Sequence, residues 1–297
     1  MRLLVTGGTG FIGRHFIDRF PEYDYLVLTR SPAKANRLLP DNVETITSLD
    51  QLENLDGFDA VINLCGESIG DRRWTLRQKE RICQSRWQPT HKLAELLQRS
   101  ENPPAAFLSG SAIGYYGDTG HMSMNEDFVP QVGDFAQQVC AQWEHLAERT
   151  VNLTRLVLLR TAVVLAGDGG ALPKMALPFR LGMGGRMGSG NQYMSWIHID
   201  DMVQAMNTLL CNDMARGPFN LCAPGAVTNR GFSEQLAQQL NTRPHFPVPA
   251  WSLRFLLGEA AGLVLNSQRI YPRNLLNIGF QFQFPDIESA LTAVFAK

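Results

Sequence analysis

A glycine-rich turn near the N-terminus constrains the fold of this chain more than any other feature of the sequence. Residues 2–6, RLLVT, form an apolar run typical of a buried strand and lead directly into GGTGFIG, which opens a helix-like stretch. At this spacing, Gly7 permits a tight bend, Gly10 lets the backbone approach a pyrophosphate, and Gly13 lets the helix pack against the strand. Because a helix N-terminus also favours anions, the turn predicts a dinucleotide site.

The first half of the chain alternates short apolar runs with amphipathic stretches of helical length, as in a parallel sheet covered by helices. The predicted strands span residues 2–6, 25–28, 60–64, 106–109 and 156–164. The predicted helices span residues 11–19, 75–98 in one or two pieces, and 134–148. The sequence therefore predicts an α/β fold with a Rossmann-type doubly wound parallel sheet and a smaller C-terminal substrate-side α/β region.

After Gly167 a segment rich in Gly, Met and Pro predicts irregular or mobile structure lying over a site. A helix at 199–210, a strand at 219–221 and a helix at 233–239 then return to the sheet. From about residue 248 two further helices follow, one before and one after the break at Tyr271 and Pro272. We predict an NADP-binding Rossmann domain and a mainly substrate-side region. Their bounds are 1–165 with return segments at about 199–240, and 166–297 with a C-terminal helical segment at about 248–297.

Composition excludes several classes of protein. The net charge of -1 provides no basic field for nucleic acid or anionic lipid, and the apolar runs are shorter than the roughly 18 residues of a membrane span. The five cysteines show neither zinc-site spacing nor the density of a disulfide framework. We expect a cytoplasmic protein with reduced thiols, no metal, no nucleic-acid partner and no membrane partner.

The residues at the end of the second predicted strand indicate which dinucleotide, NAD(H) or NADP(H), the protein prefers. An NAD enzyme usually has an acidic residue there to bind the ribose hydroxyls, whereas this chain has Thr29, Arg30 and Ser31. A guanidinium cannot accept those hydroxyl hydrogen bonds but can pair with a 2′-phosphate. The sequence predicts NADP(H) in preference to NAD(H), although a solvated arginine at a strand end is the alternative interpretation.

Several motifs occur in an order typical of one superfamily. After TGGTGFIG come NLCG at 63–66, SGSAIGYYG at 109–117 and WIHIDD at 196–201. The chain resembles the extended short-chain dehydrogenases/reductases and, within them, atypical epimerase-family proteins. The segments GGALPKM, PFRLGMGG and GFQFQFPDIESAL extend this resemblance over essentially the whole chain. The resemblance implies a Rossmann-type N-terminal domain, bound NADP and a smaller substrate-side region.

The resemblance also implies which positions contact the cofactor. Arg86 stands where extended members usually carry an asparagine, so its contact is left open, and Val163 falls near the nicotinamide end. The full implied set is Gly7, Thr9, Gly10, Phe11, Ile12 and Gly13 at the phosphates, Arg30 with Thr29 or Ser31 at the adenosine phosphate, Leu64, Cys65 and Gly66 at the adenosine and ribose, and Arg86 and Val163.

The superfamily's usual catalytic device is a tyrosine four residues before a lysine on one helix. In the matching helix the aligned positions are Ala136 and Cys140, so the dyad is absent. Ser111 matches the superfamily's serine only if an inserted residue is allowed, and otherwise Ala112 does. Tyr115 or Tyr116 could transfer a proton instead, or could pack against the wall of a pocket.

Further polar residues are candidates on the substrate side. Lys174, Arg180 and Arg186 could bind a carboxylate or phosphate, or could be solvated loop charges. Trp196 is expected on an apolar wall. His198 could serve in acid–base chemistry or be structural, with Asp200 capping the following helix.

Two functions remain open from the sequence. One is an NADP-dependent oxidoreductase or epimerase acting on an unidentified small polar or sugar-like molecule with an unconventional proton donor. The other is a non-catalytic NADP(H)-binding redox sensor or scaffold. A homodimer through the helices at 77–98 and 134–148 is a weaker expectation.

Overall fold

The computed structural model describes residues 1–131, 133–243 and 246–296. The strands in chain order are β1 (Arg2–Thr6), β2 (Asp24–Leu28), β3 (Glu44–Ile46), β4 (Ala60–Asn63), β5 (Ala106–Ala112), β6 (Ser123–Met124), β7 (Arg155–Thr161), β8 (Val163–Leu165), β9 (Tyr193–Met194), β10 (Trp196–His198), β11 (Gly217–Leu221), β12 (Val227–Thr228) and β13 (Arg269–Ile270). The α-helices are α1 (Phe11–Arg19), α2 (Pro32–Leu38), α3 (Leu76–Arg99), α4 (Phe135–Glu148), α5 (Leu172–Arg180), α6 (Ile199–Cys211), α7 (Asn229–Gln239), α8 (Ala250–Leu257), α9 (Gly262–Leu265), α10 (Arg273–Asn277) and α11 (Ile287–Phe295).

Seven strands form one sheet in the order β11-β7-β5-β4-β1-β2-β3, and every neighbouring pair is parallel. The chain adds strands in one direction from β1 to β3 and then in the other direction from β4 to β11. The order therefore reverses between β1 and β4, and in such sheets ligands bind outside the carboxyl ends of the strands at that point. The predicted doubly wound Rossmann-type fold is confirmed.

The core lies on both faces of this sheet. Phe16 of α1 and Met206 of α6 pack with β-strand side chains on one face. Leu93 of α3 and Ala147 of α4 pack on the other. Burying an aliphatic or aromatic side chain of this size contributes about 1.5–3 kcal/mol, so the apolar stripes of these helices fix them across the sheet.

Capping side chains set where two of these helices begin. Asp134 accepts from the backbone N–H of Gln137 at 2.9 Å, and the Gln137 side chain accepts from the Asp134 N–H at 3.0 Å, so α4 begins with a capping box. Thr75 accepts from the N–H of Gln78 at the start of α3. This helix is one continuous segment although Pro89 lies within it, which resolves the two alternatives left by the sequence.

The C-terminal half builds a second layer around its own core. Here α5, α7 and α11 pack against β8 and β10, burying a cluster that includes Leu172, Phe179, Phe232 and Leu291. Three two-stranded sheets complete this layer: β8 with β10, β9 with β12, and β6 with β13. The smaller C-terminal α/β region predicted from the sequence is therefore present, whereas the domain bounds given above stay a prediction.

The structure corrects three expectations about elements. The apolar run at 156–164 is two strands, because after Ala162 the chain leaves the main sheet and pairs with β10. The glycine-rich segment contains the ordered helix α5, whose buried side chains Leu172, Ala176 and Phe179 recur at helical spacing. The tail after residue 248 contains α8 and α9 before Tyr271 and Pro272, and α10 and α11 after them, rather than two helices.

The short elements α2 and β3 were not predicted. No helix among the described residues combines the length and the apolarity that crossing a membrane requires.

Candidate functional site

The glycine turn lies at the carboxyl end of β1, at the point where the strand order reverses. Gly7 has a φ of +75°, and a Cβ there would lie 2.7 Å from the carbonyl of Leu64. The Gly10 N–H donates to the Gly7 carbonyl at 2.9 Å. A Cβ on Gly13 would lie 2.5 Å from the same Gly7 oxygen. The three glycines thus bend the chain, close the turn and bring α1 against the strand end.

Gly10 is the N-cap residue of α1, and no side chain caps the helix. Gly10 is exposed and Thr9 is half-buried, so the first N–H groups of α1 are accessible to an anion. Ile12 and Phe11 are also half-buried. The turn therefore presents unsatisfied backbone donors at the place where a pyrophosphate would bind.

Phe11 is covered by the beginning of the glycine-rich segment. A Cβ on Gly169 would lie 2.6 Å from the Phe11 ring, and one on Gly170 would lie 2.9 Å from it. His15 Nε2 lies 3.3 Å from the Asp168 carboxylate. The first residues of this segment thus lie over the start of α1, beside the glycine turn.

Arg30 follows β2, the strand next to β1, and its side chain is exposed. Among the described residues it takes part in no ion pair. Thr29 is buried, and its hydroxyl accepts from the Ser31 N–H at 3.2 Å. The exposed Ser31 then caps α2 without using its side chain. The strand therefore ends in a cation and a free hydroxyl, with the backbone braced by Thr29.

The loop after β4 forms the other side of the candidate site. Cys65 is near both Arg30 and Arg86, whose charges oppose the burial that raises the pKa of its thiol. A Cβ on Gly66 would lie 2.9 Å from the Arg86 Cζ, so this glycine leaves the space that the guanidinium fills. Leu64 packs against the core on the α1 side. The structure thus brings Arg86 to the implied cofactor positions Cys65 and Gly66.

A buried chain of hydrogen bonds, missed by sequence reasoning, holds these strand ends together. The Thr6 hydroxyl donates to Asn63 Oδ1 at 2.6 Å, and Asn63 Nδ2 donates to the Thr90 hydroxyl at 2.7 Å. The Trp143 indole N–H donates to the same hydroxyl at 2.9 Å. The chain links β1, β4, α3 and α4. Polar residues at the ends of predicted parallel strands were the available signal.

The turn at residues 113–116 packs against the two positions aligned with the usual dyad. A Cβ on Gly114 would lie 3.5 Å from Ala136 Cβ and 3.6 Å from Cys140 Sγ. Burial raises the pKa of the Cys140 thiol to about 12, so it stays protonated near neutral pH and is a poor nucleophile. The position of the usual lysine thus carries an unreactive thiol, and the position of the usual tyrosine carries Ala136.

Ser111 belongs to a buried ionic network. Its hydroxyl donates to Glu144 Oε1 at 2.6 Å, and the same carboxylate accepts two bonds from Arg160, at 2.9 and 2.8 Å. Burial alone would lower the pKa of Arg160, but hydrogen bonds and charge attraction to Glu144 raise it. Ser111 is therefore held by a carboxylate, an arrangement that positions its hydroxyl rather than activating it.

Tyr116 continues this network. Its hydroxyl accepts from Arg160 at 2.9 Å and donates to Asn220 Oδ1 at 2.8 Å, and burial raises its pKa to about 12. The Asn220 N–H donates in turn to Glu126. With its proton committed to Asn220, Tyr116 is unsuited to proton exchange with a substrate.

Tyr115 differs from its neighbour in exposure. Its ring lies under the Arg160 guanidinium, 3.6 Å from Cζ to the ring centroid, and its side chain is only half-buried. Burial raises the pKa of Tyr115, and the Arg160 charge opposes that rise. Of the two adjacent phenols, Tyr115 is thus the one accessible to a ligand.

The three predicted substrate-side cations have different surroundings. Lys174 of α5 forms an exposed ion pair with Asp71 from the loop after β4. Arg180 is exposed at the end of α5. Arg186 donates to the carbonyl of Ser189 at 2.6 Å and braces its own loop. The structure does not bring these side chains together.

Trp196, His198 and Val163 lie in the C-terminal layer. Trp196 is fully buried and its indole donates to the Gly225 carbonyl at 2.9 Å, so it forms core rather than a ligand-facing wall. His198 is buried and accepts from the Asp200 N–H at 3.2 Å. His198, rather than Asp200, is therefore the N-cap of α6. Val163, half-buried, pairs with Trp196 in β8 and β10.

Within the described part of the chain, no three histidine, cysteine, aspartate or glutamate side chains come together as a metal site would require. The geometry is instead that of a dinucleotide site. Exposed helix donors and a tight glycine turn suit a pyrophosphate, and the unpaired Arg30 suits a further phosphate on the β2 side.

Comparison with known proteins agrees with this geometry. Residues 3–222 match the NAD dependent epimerase/dehydratase family, and residues 248–294 match a domain of unknown function, DUF1731. An epimerase family protein of Staphylococcus aureus is 35% identical over 99% of both chains. One of Staphylococcus saprophyticus is 38% identical over 97% of both.

Solved structures show the same relationship. The crystal structure of human epimerase family protein SDR39U1 with NADPH has a TM-score of 0.92 and 32% sequence identity, with all of both chains covered. The UDP-glucose 4-epimerase of Thermotoga maritima, at 17% identity over 100% of this chain and 98% of its own, shares the fold with a TM-score of 0.79. The chain therefore belongs to the NAD dependent epimerase/dehydratase family.

Proposed function

We propose that this protein is an NADP(H)-dependent oxidoreductase or epimerase that acts on a small polar or sugar-like molecule and prefers NADP(H) to NAD(H). The observation that carries the proposal is the exposed Arg30 beside the glycine turn, which forms no ion pair among the described residues. The turn supplies backbone donors for a pyrophosphate, and Arg30 supplies the cation for a 2′-phosphate. The NADPH in the SDR39U1 structure supports this assignment.

The residues at the glycine turn and at the ends of β2 and β4 fit a bound dinucleotide. Gly7, Gly10 and Gly13 leave a turn that any Cβ would fill. Thr29 braces the backbone around Arg30 at the end of β2 through its hydrogen bonds with Ser31, and Arg86 lies against Gly66 at the end of β4. When bound, the nicotinamide would supply or accept a hydride.

Calorimetric titration of the cofactor-free protein with NADPH and NADH tests the cofactor preference. We expect NADPH to bind about tenfold tighter or more, a difference of about 1.4 kcal/mol, and Arg30→Asp to remove that preference. Arg37→Asp is the matched control, since Arg37 is also exposed and lies on the adjacent α2. An unchanged preference in Arg30→Asp would refute the role of Arg30, and failure of both nucleotides to bind would refute the proposed function.

The chemical step needs a proton donor or acceptor other than the usual dyad. Tyr115 is the remaining candidate, because Tyr116 donates to Asn220 and Ser111 donates to Glu144. The Arg160 guanidinium over the Tyr115 ring would stabilise a phenolate electrostatically. In this role Tyr115 would exchange a proton with a substrate hydroxyl or carbonyl while the cofactor exchanges a hydride.

A non-catalytic sensor or scaffold is the second candidate. It is favoured by the absence of the usual tyrosine and lysine, whose aligned positions are Ala136 and Cys140. Two incubations distinguish the two functions: NADPH deuterated at C4 in either configuration with a panel of small aldehydes and ketones, and NADP⁺ with UDP-glucose deuterated at C4 of its glucose. Stereospecific transfer of deuterium that Tyr115→Phe lowers at unchanged NADPH affinity supports the enzyme. Absence of transfer in both incubations favours the sensor.

A further inference from the structure

Arg86 is a half-buried cation that forms no ion pair among the described residues. Its Nη1 donates to the Ile82 carbonyl at 3.0 Å and approaches the Ser85 hydroxyl at 3.5 Å, both on its own helix α3. Its Nη2 and Nε have no hydrogen bond to the described part of the chain. The guanidinium therefore keeps donors for a group that the protein itself does not provide.

The surroundings of Arg86 offset its charge only in part, because Glu67 attracts it from nearby without forming an ion pair among the described residues. The guanidinium lies 5.3 Å from the centroid of the Trp143 ring. Cys65, Cys83 and Cys140 are nearby, and burial raises the pKa of each thiol, so all three stay neutral. Burial lowers the pKa of Arg86 itself. A partly buried charge without an ion pair is costly to the fold, and such local conflicts are expected at functional sites.

The position of Arg86 along the sheet edge indicates which part of the cofactor it faces. Arg30 lies at the end of β2, the glycine turn at the end of β1, and Gly66 with Arg86 at the end of β4, in that spatial order. The adenosine half of a dinucleotide lies on the β1–β3 side and its pyrophosphate lies on the turn. The resemblance assigns Cys65 and Gly66 to the adenosine and ribose, so the nicotinamide half then extends beyond them toward β5, and Arg86 is close to Cys140 as well as to Gly66.

We propose that Arg86 faces the nicotinamide half of the cofactor and makes the protein bind NADPH more tightly than NADP⁺. This inference rests on the proposed function, since it requires a bound dinucleotide. The oxidised ring carries a positive charge that the reduced ring lacks, so a fixed cation nearby repels only the oxidised form. Because the Arg86 side chain is half-buried, solvent and salt screen this repulsion less than they would at a fully exposed position.

Arg86 and Arg160 both act on the position of the superfamily's lysine, but Arg160 is paired with Glu144. The position on α4 that aligns with the superfamily's lysine is Cys140, which is neutral and close to Arg86. Trp143, on the same helix as Cys140, contacts the Arg86 guanidinium through its ring. The positive charge is thus delivered from α3 instead of α4.

The test is calorimetric titration of the full-length protein with NADPH and with NADP⁺, from which the ratio of the two dissociation constants is taken. We expect the wild-type protein to bind NADPH about tenfold tighter, which corresponds to about 1.4 kcal/mol. Arg86→Gln should bring the ratio to within about twofold of unity. Arg81→Gln is the matched control, because Arg81 is an exposed arginine of the same helix, and it should leave the ratio unchanged.

Arg86→Lys keeps the charge and serves as the second variant if the glutamine variant does not fold, which thermal unfolding reports. The lysine variant should keep NADPH the tighter ligand. A wild-type ratio near one, an unchanged ratio in Arg86→Gln, or a ratio near one in a folded Arg86→Lys would each overturn the inference. If neither nucleotide binds, the proposed function itself fails, a result distinct from equal binding of both.

Discussion

Two glycines at the same helical position allow the packing of the cofactor turn to be measured. Gly13 is the third residue of α1 and Gly231 is the third residue of α7. Alanine favours a helix over glycine by about 1 kcal/mol. Replacing each glycine by alanine therefore makes the same change in helix propensity in two different surroundings.

The surroundings give the two substitutions opposite expected signs. At Gly231 the nearest atom to a new Cβ is the Thr228 hydroxyl at 3.4 Å, an ordinary contact. At Gly13 the Cβ would lie 2.5 Å from the Gly7 carbonyl oxygen and 2.7 Å from Gly8 Cα, both backbone atoms. Overpacking typically costs about 1–3 kcal/mol and occasionally more. Because backbone cannot rotate away as a side chain can, we take the upper end of that range.

Gly13→Ala should lower the free energy of unfolding by about 2 kcal/mol, once the gain in helix propensity is set against the overpacking. Gly231→Ala should raise it by up to about 1 kcal/mol. Gly13→Ala should also weaken NADPH binding by about 1.5–3 kcal/mol, the contribution of a hydrogen bond to a charged group, because the turn must open. Gly231→Ala should leave NADPH binding unchanged.

Urea denaturation followed by far-ultraviolet circular dichroism measures both stabilities, and calorimetric titration measures NADPH affinity. The comparison would refute the geometry if Gly13→Ala were as stable as Gly231→Ala. It would refute the role of the turn if Gly13→Ala were destabilised but bound NADPH with wild-type affinity.

Three further predictions concern charged groups. Glu144→Gln leaves Arg160 buried without a counter-charge and should lower stability by about 3–5 kcal/mol in urea denaturation at pH 7; a loss below about 1 kcal/mol would contradict a buried ion pair. Burial raises the pKa of Glu126 above its ordinary 4.5, so its protonated form contributes stability that is lost as the pH rises through the folded pKa. The stability of the wild type relative to Glu126→Gln should accordingly fall as the pH rises above 4.5, and a difference that grows with pH would contradict the sign. Lys174→Met removes only the exposed ion pair with Asp71 and should change the free energy of unfolding by less than about 0.5 kcal/mol. Adding salt should keep that change within the same limit.

The features that local sequence could predict are those in which neighbouring residues determine the structure. The glycine turn is one, because the spacing of Gly7, Gly10 and Gly13 encodes both the bend and the close helix packing. The amphipathic helices α1, α3 and α4 are others, because the apolar residues of each recur in the sequence at helical spacing. Arg30 could be placed at a strand end because the strand before it is a short apolar run.

The features that the sequence could not predict depend on which distant elements pair or pack together in the folded chain. The run from residue 156 to 164 is uniformly apolar, and nothing in it records that β8 leaves the main sheet to pair with β10. The glycines and prolines around α5 concealed the helical spacing of Leu172, Ala176 and Phe179. Trp196 lies in a motif typical of the superfamily, but only the packing of the C-terminal layer shows that it is fully buried.

The distribution of polar residues along the sheet edge has a consequence for mechanism. Beyond β4, Ser111 of β5 and Arg160 of β7 both bind Glu144 of α4, and Tyr116 binds Asn220 of β11. Asn220 donates through Nδ2 to the Tyr271 carbonyl, so this network ties the main sheet to the C-terminal region. The groups nearest to the usual catalytic position thus hold the two parts of the protein together. Any proton transfer must then use a group outside this network. Loss of a network residue should lower the free energy of unfolding more than it lowers the rate of a chemical step.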